Sequence, residues 1–184
     1  SPKSGAVRRP YPPGVHGKSF QRKLSEFGSQ LKSKQKIRNT YRLMEGQFKN
    51  SIKEAMQSKQ ETGAAIVSAL ETRLDNAVYR AGIAQSRDQA RQVVNHGHIL
   101  VNGHRVSIPS YRVKKNDQIS VREGSKKNNF FANLAPVWII KYDPPTWIEL
   151  DKTTFNFKIK SIPEVVDSGL DVHDIQAIIE FYSR

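Results

Sequence analysis

Residues 70–106 read LETRLDNAVYRAGIAQSRDQARQVVNHGHILVNGHRV, and this stretch decides how the 184-residue chain is read. Leu70, Leu74, Ala77, Val78 and Ala81 recur at helical spacing, which predicts a helix over about 71–81 with one apolar face. Gly82 is placed to end it in a left-handed cap. Ser86 with Gln89 three residues on forms a capping box, so a second helix begins there. It buries Ala90, Val93 and Val94 and stops at Gly97. Arg87 and Arg91, one turn apart, are expected to project together from the other face. Two short apolar runs, 99–101 and 104–106, flank Asn102-Gly103, a dipeptide suited to a type I′ hairpin because both central residues need positive φ. After a Pro-containing link and a turn with Asn116 in the left-handed position, Ile119, Ser120, Val121 and Arg122 alternate as a last strand.

Charge points to the kind of partner. The net charge is +13 and the pI near 10.0, which calls for a polyanion, either nucleic acid or an anionic membrane surface. The charge is uneven. Residues 1–60 hold 14 Lys/Arg against 3 Asp/Glu, a net +11. Residues 61–125 hold 9 against 6, a net +3, and residues 126–184 hold 7 against 8, a net −1. The last third is therefore expected to face protein or solvent more than phosphate. No apolar run approaches the roughly 20 residues that span a bilayer, and no signal-peptide pattern is visible. The absence of cysteine excludes disulfides and thiolate metal sites. His96-Gly97-His98 lacks a third ligand, so no metal site is expected there.

The pattern Arg-Leu-Asp-Asn-x-Val-Tyr-Arg-x-Gly, then Ser-Arg-x-Gln-Ala-Arg-Gln-x-Val-x-His-Gly-His-Ile-Leu-Val-Asn-Gly, then Ile-Pro-Ser-Tyr-x-Val-Lys and Asp-x-Ile-Ser-Val-Arg-Glu, resembles the S4-type RNA-binding domain as it occurs in the ribosomal protein S4 family. Tyr-Pro-Pro-Gly-x-His-Gly followed by Lys-Leu-Ser-Glu-Phe-Gly-x-Gln-Leu, and the closing Ile-Ile-Glu-Phe-Tyr-Ser-Arg, are similar to that family at both ends. The likeness is weakest over about 126–175. Some members carry a cysteine-based zinc site near the N-terminus; Ser1 and Ser4 stand here instead, which resembles the zinc-free version.

The fold expected is α+β. A basic flexible extension (1–23) leads to a helical N-terminal region (24–69). An S4-type domain of two helices on a small antiparallel sheet follows (70–124), and then a mixed C-terminal region (125–184) packing back on the helical region. Within 24–69, Ile37, Tyr41, Met44, Phe48, Ile52 and Ala55 form an apolar stripe, with Gly46 as a candidate break. In the last third, 124–133 reads as a linker, 144–151 as a turn and strand, and Phe155, Phe157 and Ile159 as another strand. Asp167, Asp171 and Asp174 lack the spacing of a calcium loop and read as solvated turns.

Basic and polar side chains, set on this resemblance, are the candidate rRNA contacts. They are Arg8, Arg9, Tyr11, His16, Lys18, Arg22 and Lys23 in the extension and Lys32, Lys34, Lys36, Arg38 and Arg42 in the helical region. In the module they are Arg73, Arg80, Ser86, Arg87, Gln89, Arg91, Gln92, His96, His98, Asn102, Arg105, Tyr111, Arg112 and Lys114. Arg and Lys serve phosphates; Tyr11 and His16 suit stacking on bases. The resemblance implies a structural role in the small ribosomal subunit, in a cytoplasmic or organellar ribosome. It also implies early binding to the 5′ part of the rRNA, protein neighbours, mRNA where it enters the particle, and an influence on decoding accuracy. It implies no cofactor, no membrane and no stable homo-oligomer. The competing class is an RNA-modifying enzyme, because Arg73-Leu74-Asp75 matches the Arg-Leu-Asp of pseudouridine synthases, whose aspartate is the nucleophile. Against it, Asp75 falls inside an amphipathic helix and precedes the Ser86 helix, where a fused catalytic domain would follow the module, and too few residues follow Arg122 for such a domain. A free-standing RNA-binding stress factor with the same domain is the other alternative.

Overall fold

The computed structural model describes Tyr11, Gly14, Val15, Gly17 and residues 24–183. Arg8, Arg9, His16, Lys18, Arg22 and Lys23 of the expected extension, with Ser1 and Ser4, lie outside the described residues. Helix α1 (Glu26–Thr40) starts where Ser25 Oγ accepts the Gly28 N–H at 3.2 Å. It ends at Tyr41, and the chain turns through Arg42 at φ +54° into α2 (Glu45–Met56). The break is thus at Arg42 and not at Gly46, which sits in the first turn of α2. The turn shifts the apolar stripe by one residue: Leu43 is buried, while Met44 is 71% exposed.

Helix α3 (Thr62–Glu71) and α4 (Leu74–Arg80) are separate, so the helix expected over 71–81 begins later and Leu70 belongs to α3. The cause is local competition for backbone groups. Thr72 C=O accepts the Val113 N–H at 2.9 Å, and the Leu74 N–H reaches Tyr111 C=O at 2.8 Å. Arg73 forms a lone bridge with Arg112, which extends the chain between the two helices. Helix α5 (Arg87–Asn95) follows, then β1 (Ile99–Val101), β2 (His104–Arg105) and β3 (Gln118–Val121).

The stretch read as a linker is structured. A short helix α6 (Glu123–Lys126) and a π-helical turn (Phe130–Leu134) lead into α7 (Ala135–Ile139). The Ala135 N–H bonds back to Phe130 C=O, and Pro136 beside it has no N–H to offer, which favours the wider turn. The turn buries Phe131. Strands β4 (Ile148–Asp151) and β5 (Asn156–Ile159) then complete a five-stranded antiparallel sheet in the order β2-β1-β3-β5-β4. Ile119 pairs with Val101 on one side and Phe157 on the other, so the hairpin module and the C-terminal strands share one sheet. Phe155 lies in the turn before β5, at φ +58°, and not in the strand. Helix α8 (Val165–Ser168) and α9 (Val172–Tyr182) end the described chain. Asp167 and Asp171 cap these helices, and Asp174 pairs with Lys36.

Two cores result. In the sheet lobe Leu74, Val78, Ile83, Val94, Ile99, Ile119, Phe131, Trp147 and Phe157 pack together. In the helical lobe Ile37, Phe48, Ile52, Ile66 and Leu70 pack with Ile175 and Ile178 of α9. The C-terminal third is therefore divided: its strands extend the sheet, and its last helix packs on α1 and α3.

Candidate nucleic-acid interface

The seam where the two lobes meet takes up much of the arginine. Glu71, fully buried, accepts Arg80 in a bidentate pair at 2.9 and 2.7 Å, Asn76 Nδ2 at 2.8 Å and the Tyr41 hydroxyl at 2.5 Å. Burial and the Glu71 charge push the Tyr41 hydroxyl above the ordinary phenol range, so it stays a donor. Arg80 also donates to Ser168 C=O at 2.7 Å, which ties α4 to α8. Asp75, 3% exposed, accepts Arg73 at 3.1 and 2.9 Å and Arg91 at 3.1 and 2.9 Å. Arg91 Nη1 reaches Arg42 C=O at 2.6 Å, and the Arg42 side chain pairs with Asp88 at 2.8 Å. Arg87 lies between the Tyr41 and Tyr79 rings, 4.7 and 4.5 Å from their centroids, and donates to Asn76 Oδ1 at 2.9 Å.

These contacts correct the expectation of a free arginine face on α5. Arg87 and Arg91 are half-buried, and Arg73 and Arg80 hold buried carboxylates. Other candidates are also committed within the chain. Lys34 is buried against Glu45, with Arg38 at 3.5 Å from the same carboxylate. Lys36 pairs with Asp174, and Arg112 forms a bidentate pair with Glu54 at 3.0 and 2.7 Å. Asn102 joins Asp117 and the Gln118 N–H, both at 2.9 Å, so its amide anchors the hairpin to β3. Ser86 Oγ accepts the Gln89 N–H at 3.2 Å, but Gln89 Oε1 accepts from Gln85 N at 2.8 Å, so the capping box is shifted by one residue. Tyr111 is half-buried against the sheet core, and Tyr11 is half-buried as well.

The charge left facing solvent comes mostly from lysine. Lys32 and Lys114 are exposed without an ion pair among the described residues, and so are Lys49, Lys53, Lys115 and Lys127, which the candidate set omits. Lys49 and Lys53 lie four residues apart on α2, a spacing that shares one face and is open to reading from the sequence. A second basic group gathers round Gly97. His96 and Arg105 are exposed; His98 is half-buried, with Nδ1 2.9 Å from Ser125 Oγ and its ring 5.9 Å from that of His96. Arg122 shares Ser125 Oγ at 3.2 Å. Gly97 stands at φ +69°, and a Cβ there would collide with the Arg105 guanidinium, so the glycine lets that side chain lie across the helix end. Gln92 is exposed on the same helix.

Asp75, bracketed by two guanidinium groups and nearly sealed from solvent, is built as an anchor and not as a nucleophile. Among the described residues no group of three His, Asp or Glu side chains is placed to hold a metal ion. No described helix is long and apolar enough to cross a membrane.

Residues 2–71 match the ribosomal protein S4/S9 N-terminal domain, and residues 72–119 match the S4 domain. The small ribosomal subunit protein uS4 of Thermus thermophilus is 46% identical over 185 residues, spanning 100% of this chain and 87% of its own length. This chain belongs to the ribosomal protein S4 family. Its counterparts in Sulfurihydrogenibium sp. (47% over 182 residues, 96% of this chain and 86% of the relative) and Aquifex aeolicus (46% over 186 residues, 97% and 86%) have the same reach. The boundary between the two family domains, at 71–72, falls on the break between α3 and α4. Ribosomal protein S4 is a structural protein and not an enzyme.

Proposed function

We propose that this chain is a structural constituent of the small ribosomal subunit that binds small-subunit rRNA directly, through solvent-facing lysines and the basic edge round Gly97. Kinship with small-subunit proteins over the whole chain carries the reading. Lys49, Lys53, Lys114, Lys115 and Arg105, exposed without an ion pair among the described residues, supply a surface suited to phosphates. The family resemblance supports the finer parts: binding near the 5′ part of the rRNA early in assembly, contact with neighbouring proteins and with mRNA where it enters, an effect on decoding accuracy, and no stable homo-oligomer. A free-standing RNA-binding or RNA-modifying protein is disfavoured, because the relatives match from end to end and Asp75 is enclosed.

Footprinting and co-sedimentation test this. The full chain should protect one compact region of small-subunit rRNA and remain with the particle through a moderate salt wash. Its affinity for the transcript should fall on a log–log salt plot with a slope of about −0.9 per phosphate contacted. Affinity indifferent to salt, or loss from particles in a mild wash, would overturn the proposal.

A further inference from the structure

At the edge of the sheet-lobe core, against which Tyr79 and Trp138 pack, a cavity of about 370 Å³ is lined by Tyr79, Trp138 and Tyr142 together with Gly82, Gln85 and Lys141. Its walls are set in place. Trp138 Nε1 donates to Gly82 C=O at 2.9 Å. A Cβ on Gly82, at φ +75°, would collide with the Tyr142 ring, so the ring packs against bare backbone. Arg87 lies over Tyr79 at 4.5 Å. All three aromatic residues are half-buried, so each keeps surface open to a ligand while its orientation is fixed. Lys141 is exposed and has no ion pair among the described residues.

Rigid aromatic faces beside an unpaired cation fit a flat ring carried on an anionic chain. A cationic side chain from a protein would meet Lys141 at the rim and Arg87 behind the wall. Gln85, exposed at the rim, offers both a donor and an acceptor to a base edge. We propose that this cavity takes one unstacked base of the small-subunit rRNA, stacked against the Tyr79, Trp138 and Tyr142 rings, with Lys141 on the adjoining phosphate. This rests on the rRNA-binding reading and adds to it a single-nucleotide site where Tyr79, Gly82 and Gln85 of the two-helix stretch meet Trp138, Lys141 and Tyr142 of the C-terminal region. Stacking on aromatic side chains is how proteins commonly hold splayed RNA bases.

Titration of the full chain with small-subunit rRNA transcript tests the assignment. Tyr142→Ala should weaken binding roughly 5- to 150-fold without changing the salt slope. Tyr142→Phe, which keeps the ring, should bind like the parent, and Lys141→Ala should lower the slope by about one phosphate. Fluorescence gives a second readout. Of the two tryptophans, Trp147 is fully buried, so acrylamide quenching reports Trp138, and bound rRNA should shield it. If the parent binds rRNA but Tyr142→Ala binds equally well and Trp138 stays open to the quencher, the base site is wrong and the rRNA-binding reading stands. If Trp138 is shielded only in assembled particles, a protein neighbour fills the cavity and the base site is again wrong. If the parent binds no rRNA, both fail together.

Discussion

Arg73, Arg80 and Arg91 at the seam between the lobes carry the same charge as Lys49, Lys53 and Lys114 on the outside, yet the two sets are placed in opposite circumstances. Each seam arginine meets a carboxylate that is almost sealed from water, in bidentate or shared geometry. The ammonium groups of the outer lysines pair with no carboxylate among the described residues. The planar guanidinium fork suits a fixed carboxylate, whereas the compact ammonium on a flexible stem suits a phosphate that arrives later. A single figure of +13 thus covers two populations. One holds the helical lobe to the sheet lobe, and the other is available to a partner.

Removing the seam's central acid is the most damaging way to test this division. Glu71→Ala leaves the Arg80 guanidinium, the Asn76 amide and the Tyr41 hydroxyl without their shared acceptor in a buried place. The expected loss is about 3–5 kcal/mol, the usual cost of stranding one member of a buried pair, read from the midpoint of urea unfolding. A loss near about 0.5 kcal/mol, typical of a surface change, would show that the seam repacks without its acid.

A paired set of substitutions sharpens the contrast. Arg87→Ala gives up two ring contacts and one bond to Asn76, an expected loss of about 2 kcal/mol, while the salt slope of rRNA binding stays as it was. Lys49→Ala with Lys53→Ala should change stability by less than about 0.5 kcal/mol and reduce that slope by about 1.8. Should Arg87 prove to set the slope, or the two lysines the stability, the division between seam and surface collapses.

How legible these features are in the sequence depends on how far apart the interacting residues lie. The hairpin is readable because its determinants are adjacent: Asn102 and Gly103 stand at φ +50° and +82°, and Asn116 at +71°. The Ser86 cap acts over three residues. By contrast, Arg80 bonds Ser168 across 88 positions and Arg112 bonds Glu54 across 58. No periodicity of side chains announces such partners, so a helix face rich in arginine looks free when it is not. The break at 72–73 is hidden for the same reason, since residues 111–113 claim that backbone from a distance. Lysines 49 and 53 are visible, but that they meet no partner among the described residues is a property of the folded surface alone.

The smallest effect expected concerns the basic edge itself. Burial, and then the positive charge of His96, Arg122 and Arg105, holds His98 below the ordinary histidine range. Ser125 Oγ and the Phe131 ring, 5.7 Å away, complete its surroundings. The unfolded chain takes up this proton near pH 6.5, and the folded chain only at lower pH. Between those two values the unfolded state binds more protons, so the contribution of His98 is whole above about pH 6.5 and shrinks as pH falls through the folded value. His98→Gln should therefore lose less stability than the parent between about pH 7.5 and pH 5, as followed by the urea midpoint. Equal losses in the two would mean that the edge relaxes enough to admit a third cation beside Arg105 and Arg122. The same edge would then gain affinity for phosphate in acid, where a neutral His98 leaves the binding to the two arginines.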